Sequence, residues 1–557
     1  MATISIFRAP LQQGGSMSIL RACVALLIAL LPLSLTAQSL TPPPLAARTL
    51  TAPPDAKARI DRHFDRFTGR PGCAVGAAID GTTVFAAGYG VADLEHNVPI
   101  TADTIFEPGS VSKQFTAAAV LLLAQQGKLS LDDPIRKYIP EVPEYETPIT
   151  IRHLIHHTSG LRDWGSVAAI GGWPRGTIAR NHDDVLAIVQ RQKALNYAPG
   201  AEYSYTNTGY NLAAILVSRV SEKPFAEFTR EAIFTPLGMS SSSWRDDFRR
   251  IVPNRAIAYS PSGTSFMLNM PFENVYGNGA MLTTVGDLLR WNTNFTDPKV
   301  GGRALVELQL RSGVLNDGRN TDYAAGLGIG TWRGVREISH SGATAGYGGW
   351  LARYPDQGLS VAILCNVTNA NPPQLGRDVA AVYLGAALAP PTTTEPVAVK
   401  GLQELSGLYH NLRNHATLTA AVDNGRLRIG GALFTPVSQD TFTNGDMRFV
   451  VVGGRLRLDD GTLFEKIAAA SPTSLELQVY AGEYSSDEAQ ATLRVAMQGE
   501  RLMLQNRPGS WLPLTPTFRD AFNSPIGVVR FLRDGAGKIN ETSVSQDRVW
   551  DLRFKRQ

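Results

Sequence analysis

The run EPGSVSKQFTAAAVLLLAQQG, Glu107 to Gly127, holds both the strongest helix signal of the chain and its first hint of chemistry. From Ala117 to Ala124 it is apolar on every side, which predicts a helix buried all round, spanning Ser110 to Gln126. Gly127 stands where a helix C-cap favours glycine. Glu107-Pro108-Gly109 lets the chain turn sharply into the helix. Positions i and i+3 of a helix share a face, so Lys113 would lie beside Ser110. A serine hydroxyl attacks only once a base takes its proton. Lysine serves as that base when burial and nearby positive charge depress its pKa. A serine at a helix N-terminus also has a backbone N–H aimed at developing negative charge. Taken alone, Ser-x-x-Lys fits an ordinary surface helix equally well.

Two further clusters carry polar groups of the matching kind. Tyr203-Ser204-Tyr205-Thr206-Asn207-Thr208-Gly209-Tyr210-Asn211 precedes a predicted helix over Leu212 to Val220. A tyrosine whose proton is drawn off by a neighbouring ammonium can shuttle protons to a leaving group, which suits Tyr205. The Asn207 amide can hold Lys113 and bind a substrate carbonyl. The bland reading is an aromatic, polar loop ahead of a helix. His340-Ser341-Gly342-Ala343 lies on a strand-like segment. Small residues at Gly342 and Ala343 let a substrate backbone lie along a strand edge, and the Ala343 N–H could complete an oxyanion hole with that of Ser110. His340 would tune the site electrostatically; alone, it is a turn histidine. Trp164, Trp173 and Tyr347 either line a cleft or pack, with packing favoured for the tryptophans. His153-Leu154-Ile155-His156-His157 invites a metal reading, but it lacks the glutamate of zinc-binding helices, so no metal is expected. Gly-x-Ser-x-Gly is absent, and Gly326-Leu327-Gly328-Ile329-Gly330 reads as a closely packed strand rather than a nucleotide loop.

The 557 residues, 43% apolar and 18% charged, make ordinary globular material for several domains. Met17 to Arg21, the apolar Ala22 to Leu35 and the small-residue ending Leu35-Thr36-Ala37 read as a secretory signal over 1–37, with translation starting at Met1 or Met17. No second long apolar stretch follows, so no integral membrane span is expected in the mature chain. The net charge is +4, and Arg8 and Arg21 are the only charged residues of the signal, leaving +2 beyond it. With no Lys/Arg run, nucleic acid is not an expected partner. A region of mixed helical and strand patterns over 57–388 contains a predicted hairpin, Cys73–Ile79 with Thr83–Ala87, and late strands near Val335–Ser339, Gly349–Tyr354 and Leu359–Cys365. A linker over 389–400 leads to two small antiparallel β modules, 401–468 and 474–557. These look like a repeat: Ser406-Gly407-Leu408-Tyr409 answers Ala481-Gly482-Glu483-Tyr484, and Phe464-Glu465-Lys466 answers Phe554-Lys555-Arg556. Cys73 and Cys365, in two of the strand-like runs, are either a disulfide or two buried thiols.

In this chain order the three clusters resemble the motifs of the serine β-lactamase and penicillin-binding-protein superfamily, in its class C-like branch of D-alanyl-D-alanine carboxypeptidases, D-aminopeptidases and esterases. Similar stretches run through Pro71–Gly90, Phe106–Gly127, Ile151–Leu161, Gly277–Trp291, Tyr323–Gly330 and His340–Pro355, about 57–388 in all. The resemblance implies an α/β (α+β) fold: a mostly antiparallel sheet flanked by helices, with a helical subdomain. It implies that Ser110 is the nucleophile, Lys113 its base and Tyr205 the proton shuttle. Asn207, His340, Gly342, Ala343 and Tyr347 would bind substrate, with no cofactor. First and last strands are neighbours in such sheets, which would bring Cys73 near Cys365. The motifs depart from β-lactamases: Tyr205-x-Asn207 stands for Ser-Asp-Asn, and His340-Ser341-Gly342 for Lys-Thr-Gly. A mostly neutral histidine suits a β-lactam carboxylate less than a permanent ammonium. The expectation is an exported hydrolase, periplasmic or secreted, acting on a small peptide, an ester or a peptidoglycan fragment. The alternatives are a non-catalytic ligand sensor or a weak β-lactamase. The tail would either anchor the enzyme or gate its cleft.

Overall fold

The computed structural model describes residues 50–390, 395–445 and 447–557. The signal read over 1–37 and residues 391–394 of the linker lie outside the described residues. A six-stranded antiparallel sheet organises the first part of the chain. Its strands are β1 (Cys73–Ile79), β2 (Thr82–Tyr89), β3 (Gly328–Trp332), β4 (Val335–Thr344), β5 (Tyr347–Tyr354) and β6 (Leu359–Cys365), in the order β2-β1-β6-β5-β4-β3. β1 and β5 are buried at every position, β1 as an unbroken apolar and small-residue run and β5 with Arg353 as its one charged member. Alternation splits β1 between two cores. Cys73, Val75, Ala77 and Ile79 pack with the helices Ala56–Phe64 and Pro372–Leu384 on one face. Ala74 and Ala78 pack into the helical core on the other. Cys73 stands opposite Cys365 in the β1–β6 register, and the two form a disulfide.

The helix at Ser110 begins differently from the sequence expectation. Gly109–Ser112 is a turn of 3₁₀-helix that passes into the α-helix α1, Lys113–Gln125. Gly109 enters it at φ +57°, where an added Cβ would sit 2.5 Å from the Ala343 nitrogen. In a 3₁₀ turn, side chains at i and i+3 eclipse, so Lys113 stands directly over Ser110. The second helix, α2, runs Asn207–Ser221, starting earlier than Leu212. The Thr206 hydroxyl caps it by accepting from the Thr208 N–H at 3.2 Å. Asn207 is therefore a first-turn helical residue rather than part of a loop. β4 is also longer than the strand predicted near Val335–Ser339 and carries His340 to Ala343 along its length.

Strands from Gly407 to Ile467 close into an eight-stranded barrel, and strands from Gly482 to Arg556 form a nine-stranded antiparallel sheet. The repeat seen in the sequence has a physical basis. Tyr409 and Tyr484 each donate their hydroxyl four residues back, to the Leu405 and Tyr480 carbonyls. Gly407 and Gly482 take φ +149° and +154°, beneath the Lys466 and Arg556 side chains. The barrel has a core of its own around Leu427, Phe442 and Leu456. The core of the nine-stranded sheet, from Leu477 to Phe554, is continuous with that of the helical region. Among the described residues no helix is long and apolar enough to cross a membrane.

Candidate active site

The 3₁₀ turn, the start of α2 and the free edge of β4 meet around a cavity of about 610 Å³. Ser110, Tyr205, Asn207, Asn278, His340, Gly342 and Ala343 line it, with Arg175 and Arg548. Lys113 lies just beneath, fully buried, with Nζ within hydrogen-bond distance of three oxygens. Nζ lies 3.0 Å from Ser110 Oγ and donates to Asn207 Oδ1 at 2.9 Å and to the Asn278 carbonyl at 2.7 Å, which leaves the lone pair of the neutral amine facing the serine hydroxyl. Burial, followed by the positive charge of Arg548 and then Arg175 against the opposing pull of Asp163, holds its pKa well below the usual lysine range. Asn207 is held in turn by its own N–H, which donates to Asp163 Oδ2 at 2.8 Å.

The Tyr205 ring lies 4.8 Å from Lys113 Nζ and 4.2 Å from the His157 ring. Burial raises the Tyr205 phenol above its ordinary pKa, outweighing the hydroxyl of Ser110 and the charge of Arg548. The ground state is thus a neutral tyrosine beside a lysine pushed toward its neutral form, not the tyrosinate that a nearby ammonium would produce. His340 is neutral as well, its pKa lowered to about 4 by burial and by Lys113. Its Nδ1 lies 2.6 Å from the Ser341 carbonyl and must carry the proton there. Nε2 then accepts from the Tyr323 hydroxyl at 3.0 Å. Both ring nitrogens are engaged, so His340 shapes the wall of the cavity without a free nitrogen for a ligand.

β4 and the serine turn touch backbone to backbone. A Cβ on Gly342 would sit 2.1 Å from the Pro108 carbonyl oxygen and 2.4 Å from the Ser110 nitrogen. Thr344 and Tyr347 close the β4–β5 hairpin around Ala345-Gly346, so Ala343, opposite Gly348, occupies a pair whose N–H groups point away from the partner strand. Its N–H therefore faces the free edge, next to Ser110, whose own N–H lies in the unpaired first turn. Tyr347 lines the cavity, but its hydroxyl donates to the Ala256 carbonyl and accepts from Arg255 Nε at 3.1 Å. Trp164 is buried, donating to Asn211 Oδ1 at 2.9 Å, while Trp173 is 47% exposed.

The three histidines of Ile151–Leu161 do separate structural jobs. His153 completes a capping box with Thr150, His156 lies between the Arg152 and Arg311 carbonyls and donates to one of them, and His157 lies under Tyr205. Among the described residues, Asp93, Glu95 and His96 come close enough together to share an ion, and none of them lines the cavity.

Four contributors escaped the sequence reading. Asn278 and Tyr323 fall inside stretches singled out there, but nothing marked them individually. Asp163 carries no motif signal. Arg548 comes from the turn between Ile539–Gln546 and Val549–Arg556, in the C-terminal sheet.

Comparison with known proteins agrees with this architecture. The chain is 29% identical to penicillin-binding protein 4* of Bacillus subtilis over 307 residues, 52% of this chain and 67% of that protein. It is 27% identical to a D-aminopeptidase of Brucella anthropi over 505 residues, 85% of this chain and 93% of that protein. A match over 85% of this chain necessarily extends past the linker into the β modules. In fold, it resembles the octameric penicillin-binding protein homologue from Pyrococcus abyssi, with a TM-score of 0.54 at 21% identity, over 81% of this chain and 97% of that one. The family model described as Beta-lactamase matches residues 60–385, which include the sheet, the serine turn, the start of α2 and the β4 edge; the protein belongs to the Beta-lactamase family.

Proposed function

We propose that the protein is an exported serine hydrolase that cleaves a peptide amide or an ester through an acyl-enzyme on Ser110. The observation that carries this reading is the 3.0 Å hydrogen bond between Ser110 Oγ and a buried lysine whose pKa is driven down. Neutral Lys113 accepts the hydroxyl proton as Oγ bonds to the substrate carbonyl carbon. The carbonyl oxygen takes the negative charge and is held by the Ser110 and Ala343 N–H groups. As the carbon–leaving-group bond breaks, the proton passes through Tyr205 to the leaving amine or alcohol. A water then enters, loses a proton along the same route and releases the acid from Ser110. The raised pKa of Tyr205 favours this relay, because the phenol gives up one proton only as it receives another. The Asn207 amide orients Lys113 and the substrate carbonyl.

Export is supported by the signal-like segment 1–37 and by the Cys73–Cys365 disulfide, a bond that persists in oxidising compartments. The neutral His340 argues against efficient β-lactam turnover. The test is intact mass after exposure to a fluorophosphonate probe, for wild type and Ser110→Ala. One adduct on wild type and none on the variant is the expected result. An unlabelled wild type would overturn the hydrolase reading in favour of a ligand sensor.

A further inference from the structure

The cavity wall contains a cation whose only part in the chemistry above is to help depress the Lys113 pKa. Arg548 sits in a two-residue turn of the C-terminal sheet, with its guanidinium 4.8 Å from the centre of the Tyr205 ring. Its backbone is fixed firmly. The Arg548 carbonyl accepts from the Asp163 N–H at 3.1 Å and from Asn196 Nδ2 at 3.2 Å. On the same strand, the Trp550 N–H donates to Asn196 Oδ1 at 2.8 Å, and the Arg162 guanidinium donates to the Trp550 and Asp551 carbonyls. The turn is thus docked on the segment that carries Asp163, and the side chain reaches the cavity from a rigid base.

Charge balance gives this placement its meaning. Arg175, the other arginine in the wall, is neutralised by Glu273 at 2.8 Å. His340 is neutral. Among the described residues Arg548 makes no ion pair with a carboxylate. A cation anchored through its backbone and set against the Tyr205 ring, without an acidic partner, makes the cavity selective for a ligand that brings the negative charge. Guanidinium is also the group whose planar fork matches a carboxylate in two parallel hydrogen bonds. We infer that Arg548, supplied by the C-terminal module, is the specificity residue that reads a carboxylate on the substrate next to the scissile bond. The inference rests on the proposed function for the location of that bond. It separates the substrate classes left open there: a free carboxylate is attracted, whereas the α-ammonium of an aminopeptidase substrate is repelled.

The test uses full-length protein carrying Ser110→Ala, so that binding is read without turnover. N-acetyl-D-alanine and N-acetyl-D-alaninamide, equal in size and differing in charge, are titrated by calorimetry or NMR. With Arg548 present, the carboxylate is expected to bind roughly tenfold or more tightly than the amide. Arg548→Met should bring the two within about threefold by weakening the carboxylate alone, and Arg548→Lys should retain part of the preference. The amide is the internal control, because a merely structural role for Arg548 would weaken both ligands equally. The same ratio in Arg548→Met, a preference for the amide, or binding of neither ligand would overturn the inference. Failure of the hydrolase reading itself would appear separately, as an unlabelled wild type in the probe experiment.

Discussion

Replacing Lys113 by methionine keeps the length and apolarity of the buried stem and removes only the amine. Two buried acceptors lose a donor, Asn207 Oδ1 and the Asn278 carbonyl, and the Ser110 hydroxyl loses its base. A positioned general base contributes about 10²–10⁴-fold to rate, so Lys113→Met should lose that factor in the second-order rate of fluorophosphonate labelling and in kcat/KM for a neutral p-nitrophenyl ester. Stability should respond differently. A lysine whose folded pKa lies below its unfolded value of 10.5 withdraws stability as pH falls through that value, and the penalty is complete below the folded pKa. At neutral pH, methionine escapes this penalty, which for a lysine kept neutral is at most about 1.4 kcal/mol for each pH unit below 10.5. Against it stand two buried acceptors left unpaired, at about 1–3 kcal/mol each. The opposing terms are similar in size, so the melting temperature should stay within a few degrees of wild type while activity collapses. Calorimetry or dye-monitored melting beside the labelling assay checks both halves. Labelling within tenfold of wild type would refute Lys113 as the base. A large fall in melting temperature would show that the lysine is held for structure instead.

Gly342→Ala places a Cβ against backbone on the serine turn, where no flexible side chain can yield, so β4 and that turn must separate. The misaligned N–H pair should lower the labelling rate by about 10²-fold or more, whereas Gly330→Ala, with no atom within 4 Å, serves as the silent control. Equal labelling by both variants would remove Ala343 from the oxyanion hole. The pH dependence of kcat/KM on a neutral ester should reach its plateau far below 10.5, because the neutral lysine is the working form and burial lowers its pKa. A rise of roughly tenfold per pH unit continuing to pH 10 would mean that Lys113 titrates like a free lysine.

Much of this architecture is legible in the sequence because local signals and tertiary demands agree. The all-round apolar run after Lys113 can only be a buried helix, and the β1 run CAVGAAI is buried on both faces as its composition predicts. What escaped reading is what depends on partners distant in sequence. Asn207 looks like a loop residue until Asp163 accepts its N–H and Thr206 caps the helix. His340 lines the cavity as the sequence reading expects, but the partners Tyr323 and Ser341 that engage both of its nitrogens appear only in the fold. Arg548 has no local signal at all, because a turn arginine acquires its role only from the surface on which that turn docks.

That docking bears on whether the tail is an anchor or part of the site. An anchor needs only a covalent tether. Here the core of the nine-stranded sheet is continuous with the helical core, and Arg162 and Glu488 form an ion pair across the contact with side chains only 4% and 15% exposed. Removing the tail would leave the Arg162 guanidinium without its carboxylate partner and open apolar surface to water, so a truncated chain would confound loss of folding with loss of gating. The informative perturbation is a point change in the turn. Asp163 shows why: its N–H donates to the Arg548 carbonyl while its carboxylate receives the Asn207 N–H, and Asn207 holds Lys113. Through this one residue the C-terminal module touches the positioning of the base, and through the Arg548 charge it touches the pKa of the base. The Arg548 turn lines the candidate site and is hydrogen-bonded to the segment that holds Asn207, which fits a tail that gates the cleft better than one that only anchors the chain.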